Sequence, residues 1–362
     1  MLQSHTAGAR LTSLTAAGVS RRVWQGGVAV VGTQIMTDCS VSYDLSRDVR
    51  NSVRLVLTDD ADELAPHEPG DLFFTGERFR VEAAVNGAYV QMFEGVVSDF
   101  SDAMAGTLAI SGEDPLWLCD QAFGERLTLP DDTPAEDAVR LVCEPVLGDS
   151  SGWSLDGAGR KVTLRTWAED DRRLGSITSL MRDLGLELFA DRFGQLVLQE
   201  RPDPTQQDAV VTVREFLSDR ASWADLTRSG ADLPHNRFVV ISDRPDQDSL
   251  RATWQVDDPA SPLHPDRIGL RTADIYRPDT GAADQNALNA VARQLGIEDS
   301  LNLDRISGTA VPDWRLDAGD VVLVRESGSG TDDRYRISAL AHPVVGDWMT
   351  LQAARLLPLT LL

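Results

Sequence analysis

The chain has 362 residues, of which 42% are hydrophobic and 25% are charged, and it carries a formal net charge of −23. This length accommodates two to four domains, and the composition is that of a folded chain. The strong negative charge disfavours binding to nucleic-acid phosphates or to an anionic membrane surface. The charge also disfavours tight self-packing unless the acids face solvent or a water-filled space. An acidic surface that serves only solubility is the alternative.

Three further observations narrow the class of protein. Lys161 is the single lysine among 34 basic residues, and its place in a polar turn matches no Walker loop, kinase strand or Schiff-base site. Cys39, Cys119 and Cys143 are widely spaced and lack a CxxC pair, which predicts buried free thiols. The apolar C-terminal stretch, Leu356–Leu362, is far shorter than a membrane span, and no secretory signal is predicted, so we expect a soluble protein made in the cytosol.

In chain order, residues 1–22 are predicted to be an N-terminal segment and residues 23–125 a first β-barrel. Short strands are expected at Val23-Trp24, Val28–Val31, Gln34-Ile35 and Val41–Tyr43. Further strand-like stretches follow at a spacing of roughly 8–12 residues, which is typical of a barrel or sandwich.

Residues 126–204 read as an α+β module. Thr133–Glu136 has the pattern of a capping box, which predicts a helix that ends before Pro145. A second helix is predicted from the spacing of Leu174, Ile177, Leu180, Met181 and Leu184, and it ends at Gly185. A hairpin follows over Leu186–Ala190 and Gln195–Leu198.

Residues 205–362 are predicted to form a second β-barrel, which an insertion at 244–300 interrupts. The insertion is rich in Asp and Pro, and it contains one predicted helix, Ala283–Leu295, with Gly296 as its stop. The overall fold class is therefore mainly β with an α+β insertion: two tube-like antiparallel β-barrels and small α+β modules.

The two predicted barrels repeat one strand pattern. The first series is Arg54–Asp59, Gly70–Phe74, Val96–Ser98 and Gly106–Ile110. The second is Arg237–Asp243, Gly319–Val324, Tyr335–Ser338 and Met349–Ala353. In each series a Gly-Asp turn leads into an apolar strand, so we expect two superposable β-units and a chain that assembles in a ring with its own copies.

No motif in the sequence predicts catalysis or metal binding. Gly148–Gly152 fits GxSxG, but a helix precedes Ser150 and a strand follows it, which reverses the order of a nucleophile elbow. His5, His67, His235, His264 and His342 lack metal-ligand spacing, and Asp243, Asp246 and Asp248 lack the glycine and glutamate of an EF-hand loop. We therefore predict no catalytic residues, no cofactor and no metal.

The order of these pieces resembles that of baseplate hub proteins of phage tails and related contractile injection systems. Gly32–Asp38 leading to Val49-Arg50 is similar to a pattern of actinobacterial siphophage minor tail proteins. Leu186–Leu198 resembles the hairpin of the family, and His235–Val240 and Leu316–Val322 resemble strands of its second barrel. The resemblance covers roughly residues 25–356.

The resemblance implies a structural, non-enzymatic hub at the virion tail tip, assembled in the host cytoplasm. It implies a homotrimer whose six barrels mimic a sixfold tail-tube ring. The implied partners are a distal tail or tail tube protein, a tape measure protein and a central spike or fibre protein. DNA would only pass through, and we expect the acidic charge to line that channel. Two other hypotheses stay open: another virion or cell-surface binding module, such as a distal-tail or fibre-bearing β-protein, and a cell-wall hydrolase.

Overall fold

The computed structural model describes residues 9–14, 20–26, 36–58, 66–69, 71, 73–85, 88–103, 106–215, 222–230, 233–244, 247–276, 285–326, 331–345 and 348–357. The predicted strands at Val28–Val31 and Gln34-Ile35 lie outside these residues, as do His5 and Asp246.

The first β-unit is a run of seven strands: β1 (Ala9–Leu14), β2 (Ser20–Gly26), β3 (Met36–Asp44), β4 (Asn51–Thr58), β5 (Arg78–Val85), β6 (Ala88–Ala103) and β7 (Thr107–Glu113). Their order in the sheet is β2-β1-β5-β6-β7-β4-β3, and every pair is antiparallel. In β4, Val53, Leu55 and Leu57 are buried while Arg54 is exposed. This alternation gives the sheet one core face and one outer face.

The α+β module follows directly. Its elements are a 3₁₀ helix (Pro115–Cys119), β8 (Leu127–Leu129), β9 (Thr133–Pro134), α1 (Ala135–Leu147), β10 (Ser154–Leu155), β11 (Lys161–Val162), β12 (Arg165–Trp167), α2 (Arg173–Asp183), β13 (Leu186–Ala190) and β14 (Leu196–Glu200). The two helices and the β13–β14 hairpin enclose a hydrophobic core of their own.

The remaining residues supply β15 (Val211–Glu215), β16 (Ser222–Gly230), β17 (Arg237–Arg244), β18 (Gln247–Gln255), α3 (Pro265–Ile268), β19 (Thr272–Tyr276), α4 (Gln285–Ser300), a 3₁₀ turn (Leu301–Leu303), β20 (Asp304–Ala310), β21 (Val321–Glu326), β22 (Thr331–Val345) and β23 (Met349–Arg355). We call β15, β16 and β20–β23 the second β-unit. We call β17–β19 with α3 and α4 the inserted layer, because these strands form a separate three-stranded sheet.

The two β-units share one strand order. The first reads β5-β6-β7-β4-β3 and the second reads β21-β22-β23-β20-β16, with antiparallel neighbours throughout both series. The predicted repeat is therefore present in the strand order. Two predicted counterparts are wrong. β20, and not Arg237–Asp243, corresponds to β4, because β17 lies in the inserted layer. β5, and not Gly70–Phe74, corresponds to β21, because the N–H of Phe74 donates to the carbonyl of Asp71 in a turn.

The β-units are joined edge to edge into a thirteen-stranded sheet. The long strand β22 pairs with β21 through its first half and with β3 through its second half, from Ala339↔Asp44 to Val345↔Cys39. One hydrophobic core then extends across both units.

A pair of closed barrels is not established. In the second β-unit the pairings β21-β15-β16-β20-β23-β22 return to β21, but β15 joins β16 through only Arg214↔Ser222 and Glu215↔Trp223. Among the described residues of the first β-unit, the strand order stays linear from β2 to β3. The domain boundaries predicted at 22, 125 and 204 stay predictions.

Local predictions in the α+β module have mixed outcomes. The helix ending before Gly185 and the hairpin are confirmed as α2, β13 and β14. The capping box is wrong, because Pro134 is the N-cap of α1 and the Thr133 hydroxyl donates to the carbonyl of Pro130. The stop before Pro145 is also wrong: α1 continues to Leu147 and ends at Gly148, whose φ is 86°.

The predicted helix of the inserted layer is present but longer than expected. α4 runs through Gly296 to Ser300. The short helix α3 precedes it, so the described part of the insertion contains two helices instead of the one predicted. A Cβ at Gly296 would lie 2.0 Å from a ring carbon of Trp254. Gly296 therefore serves close packing against β18 and does not stop the helix.

Candidate functional site

The GxSxG loop lacks the geometry of a nucleophile. Ser150 lies between α1 and β10, and its hydroxyl donates to the carboxylate of Glu144. The backbone carbonyl of Ser150 accepts from the N–H of Trp153. The described part of the chain gives this hydroxyl a carboxylate partner and no histidine, so the loop does not form a serine–histidine pair.

The four histidines among the described residues lie in four separate places. His67 is exposed, His235 contacts Asp299 with 3.1 Å between Nδ1 and Oδ2, and His264 caps α3. His342 is buried in β22. No group of three histidine, cysteine, aspartate or glutamate side chains that could hold a metal occurs among the described residues. Cys39, Cys119 and Cys143 are buried and free, which confirms the predicted thiol state.

His342 lies where the two β-units meet. Its ring contacts Tyr43 of β3 edge-on at 6.1 Å between centroids and Trp314 at 5.1 Å. Its Nε2 is 3.1 Å from the carbonyl of Leu316, while its Nδ1 is buried without a hydrogen-bond partner among the described residues. Burial lowers the pKa of His342 to about 4, so the ring is neutral at pH 7.

The α+β module is fastened to both β-units by the tip of its hairpin and by buried polar groups. Arg192 donates to the carbonyl of Trp314 at 3.3 Å and to the carboxylate of Asp317. On the other side, the Asn51 amide donates to the carbonyl of Ala190 at 2.7 Å. These contacts fix the module against the junction of the two units.

Asp114 lies between β7 and the 3₁₀ helix that starts the α+β module. Its buried carboxylate accepts from the N–H groups of Asn51 and Leu116, at 3.0 Å each. Burial raises the pKa of Asp114 to about 7, although these hydrogen bonds act in the opposite direction.

A cavity of about 560 Å³ lies where the second β-unit, the α+β module and the turn after β3 come together. Its charged lining consists of six arginines (Arg47, Arg50, Arg182, Arg201, Arg305 and Arg336) and four carboxylates (Asp44, Asp48, Glu187 and Glu298). The cavity therefore has an excess of two positive charges in a strongly acidic chain. Sequence reasoning missed it because these residues come from distant segments.

The carboxylates of the cavity already have partners. Glu187 accepts from Arg50 at 3.1 Å, and Asp48 accepts from Arg182 at 3.2 Å. Glu298 accepts from Arg201, and Asp44 accepts from the hydroxyl of Ser46 at 2.7 Å. Each of these acids is thus occupied by a donor other than Arg336.

Arg336 differs from the other arginines of the cavity. It is only 8% exposed, and its Nε has no hydrogen-bond partner among the described residues. Burial lowers its pKa, while the more distant carboxylates of Glu187 and Glu298 raise it. The wall of the cavity therefore contains a buried guanidinium whose hydrogen-bonding capacity is not filled.

No helix among the described residues is long and apolar enough to cross a membrane.

Comparison with known proteins shows the fold. No family model matches the chain, and no curated protein sequence matches it. The tail protein from Neisseria meningitidis MC58 is 14% identical with a TM-score of 0.67, over 96% of each chain. The 43 kDa tail protein of prophage MuSo2 from Shewanella oneidensis is 14% identical with a TM-score of 0.65, over 96% of this chain and 98% of that one.

A third similar structure is that of a Francisella PdpA–VgrG complex, with 11% identity and a TM-score of 0.53. The match covers 96% of this chain and 52% of that one. The chain therefore has the fold found in the two tail proteins, over 96% of its length and at 14% sequence identity.

Proposed function

We propose that this protein is a structural hub at the tip of a phage tail. Three copies would close the tail tube as a ring of six β-units and would anchor a central spike or fibre platform. Support comes from the fold shared with tail proteins over 96% of the chain. The protein would be assembled in the host cytoplasm and would act within the virion.

One observation carries this proposal: the same strand order occurs twice in one chain. A chain with two equivalent units can present six similar units from three copies, and closed rings of identical subunits are the common form of soluble assemblies. The edge-to-edge junction of β3 with β22 gives a pattern for how neighbouring units adjoin.

The proposed partners follow from this position. A distal tail or tail tube protein and the tape measure protein would contact one face of the ring, and the spike or fibre protein would contact the other. Among the pairings of the described residues, β2 is joined to a neighbour on one side only. An edge strand of this kind is able to pair with a second chain.

The proposed role needs no catalytic group, cofactor or metal. DNA would pass through the ring without being held, and weak contact with phosphates requires a lining that is not basic. We propose that carboxylates outnumber arginines on that lining. Reversing several of those acids to arginine should slow genome release and leave assembly intact.

The test is the mass of the purified protein in solution. We expect sedimentation velocity to give a trimer, and electron micrographs to show a ring with an open centre. The interface should be in the range of obligate assemblies, roughly 2,000 Å² or more. A protein that stays monomeric both alone and when mixed with its tail neighbours would contradict the proposal.

A further inference from the structure

Arg336 is buried, and its Nε has no hydrogen-bond partner among the described residues. A buried guanidinium is always charged, and leaving a charge out of water without a counter-charge in direct contact is costly. The nearby carboxylates of Glu187 and Glu298 are held by Arg50 and Arg201. A further anion in the cavity would satisfy this group.

We propose that the cavity between the second β-unit and the α+β module is a carboxylate-binding site, with Arg336 as its principal guanidinium. The planar fork of arginine matches a carboxylate through two parallel hydrogen bonds. A cavity of about 560 Å³ is within the size range of small-ligand sites, and it admits one acidic side chain or one small organic acid. The inference does not depend on the proposed function.

The carboxylate could come from two sources. One source is a free acid in solution. The other is an acidic side chain of a second copy of this chain, because the chain carries 57 aspartates and glutamates. Both sources supply the same chemical group, so different measurements have to separate them.

The first measurement is calorimetric titration of the full chain with citrate, with sodium chloride keeping the ionic strength constant. For a free acid, we expect saturable binding, with a dissociation constant at least tenfold higher in Arg336→Gln. The matched control is Arg140→Gln, which removes an exposed arginine paired with Asp137 on α1. The control should bind citrate like the unmodified chain.

The second measurement is sedimentation velocity over a range of protein concentrations. If a second copy supplies the carboxylate, Arg336→Gln should weaken self-association at least tenfold while Arg140→Gln does not. Unchanged citrate binding together with unchanged self-association in Arg336→Gln would overturn the proposal.

A second pair of variants decides the question if Arg336→Gln does not fold. Ser338 also lines the cavity, so Ser338→Glu brings a carboxylate into it, and Ser338→Gln brings a neutral group of the same size. We expect Ser338→Glu to melt at a higher temperature than Ser338→Gln. It should also lose whichever property the unmodified chain shows, citrate binding or concentration-dependent association. A Ser338→Glu chain that melts at a lower temperature than Ser338→Gln would contradict the site.

Discussion

At the scale of single residues, His342 should make the stability of this protein depend on pH. Its pKa is about 4 in the folded chain and near 6.5 in an unfolded one, so the unfolded state binds the proton more strongly. The stabilisation is complete above pH 6.5 and is lost as the pH falls towards 4. By linkage the loss amounts to about 3 kcal/mol.

We expect the free energy of unfolding of the unmodified chain, measured against His342→Gln, to show this loss. The difference between the two chains should shrink as the pH falls from 6.5 to 4, because glutamine does not titrate. Urea unfolding at several pH values measures it. A difference that stays constant over this range would mean that the ring does not titrate as its burial requires.

Asp114 should have the opposite effect. Its pKa is raised to about 7 in the folded chain, above the 3.8 of the unfolded group, so its contribution is complete below pH 3.8 and is lost as the pH rises through 7. The advantage of the unmodified chain over Asp114→Asn should therefore grow as the pH falls from 7 to 4. Urea unfolding at the same pH values tests this. His342→Gln and Asp114→Asn are controls for each other, because their differences from the unmodified chain should change in opposite directions with pH.

The Ser150 hydroxyl should be dispensable. Among the described residues it hydrogen-bonds to the Glu144 carboxylate alone, in a partly exposed loop. Ser150→Ala should therefore change the free energy of unfolding by less than about 0.5 kcal/mol. We expect unchanged assembly in sedimentation velocity. Ser151→Ala is the matched control, since Ser151 makes a similar loop contact with Asp149 at 2.8 Å. Loss of assembly in Ser150→Ala alone would reopen a specific role for this hydroxyl.

At the scale of secondary-structure elements, two helical glycines should respond to alanine in opposite directions. Gly175 is exposed in α2 with nothing within 4 Å of a Cβ, so Gly175→Ala should stabilise the protein by up to about 1 kcal/mol. Gly296→Ala should destabilise it, because the new methyl group would overlap the Trp254 ring. Thermal melting of both variants checks this, and stabilisation by both would show that Trp254 moves freely.

The same elements show which features of the fold the sequence predicts. α2 and the β13–β14 hairpin are signalled locally, by helical spacing, by Gly185 and by the Asp191 turn, where Asp191 accepts from the N–H groups of Phe193 and Gln195. The reason for glycine at position 296 of α4 is the ring of Trp254, which is far away in the chain. A strand such as β17 has the same local pattern as β4, and only its pairing partners assign it to another sheet.

The candidate site cannot be predicted from the sequence either, because residues that are distant in the chain form it. Arg336 lies in a strand whose alternation predicts an outer-face side chain, and nothing in that pattern shows that the α+β module covers it. Arg50, Arg201 and Glu298 reach the same cavity from three other segments. Their convergence follows from the way the module packs on the sheet, which short-range patterns do not encode.

At the scale of the whole molecule, the two β-units should unfold together. Their inner faces share one hydrophobic core. It contains Val41 and Leu55 of the first unit together with Ile337 and Leu351 of the second. The α+β module has a separate core and is attached to the sheet through polar contacts such as that of Asn51 with Ala190. A shared core makes opening of one unit costly for the other.

We therefore expect Leu55→Ala and Leu351→Ala each to cost about 2–5 kcal/mol and to accelerate amide hydrogen exchange in both β-units. Leu186→Ala, at an equally buried position of the α+β core, is the matched control. It should accelerate exchange mainly within the module, because the core of the module is separate from the core that the β-units share. Mass-spectrometric hydrogen exchange separates the three regions. Acceleration confined to the first β-unit in Leu55→Ala would mean that the two β-units unfold as independent domains. The β3–β22 pairing would then connect two separate cooperative units.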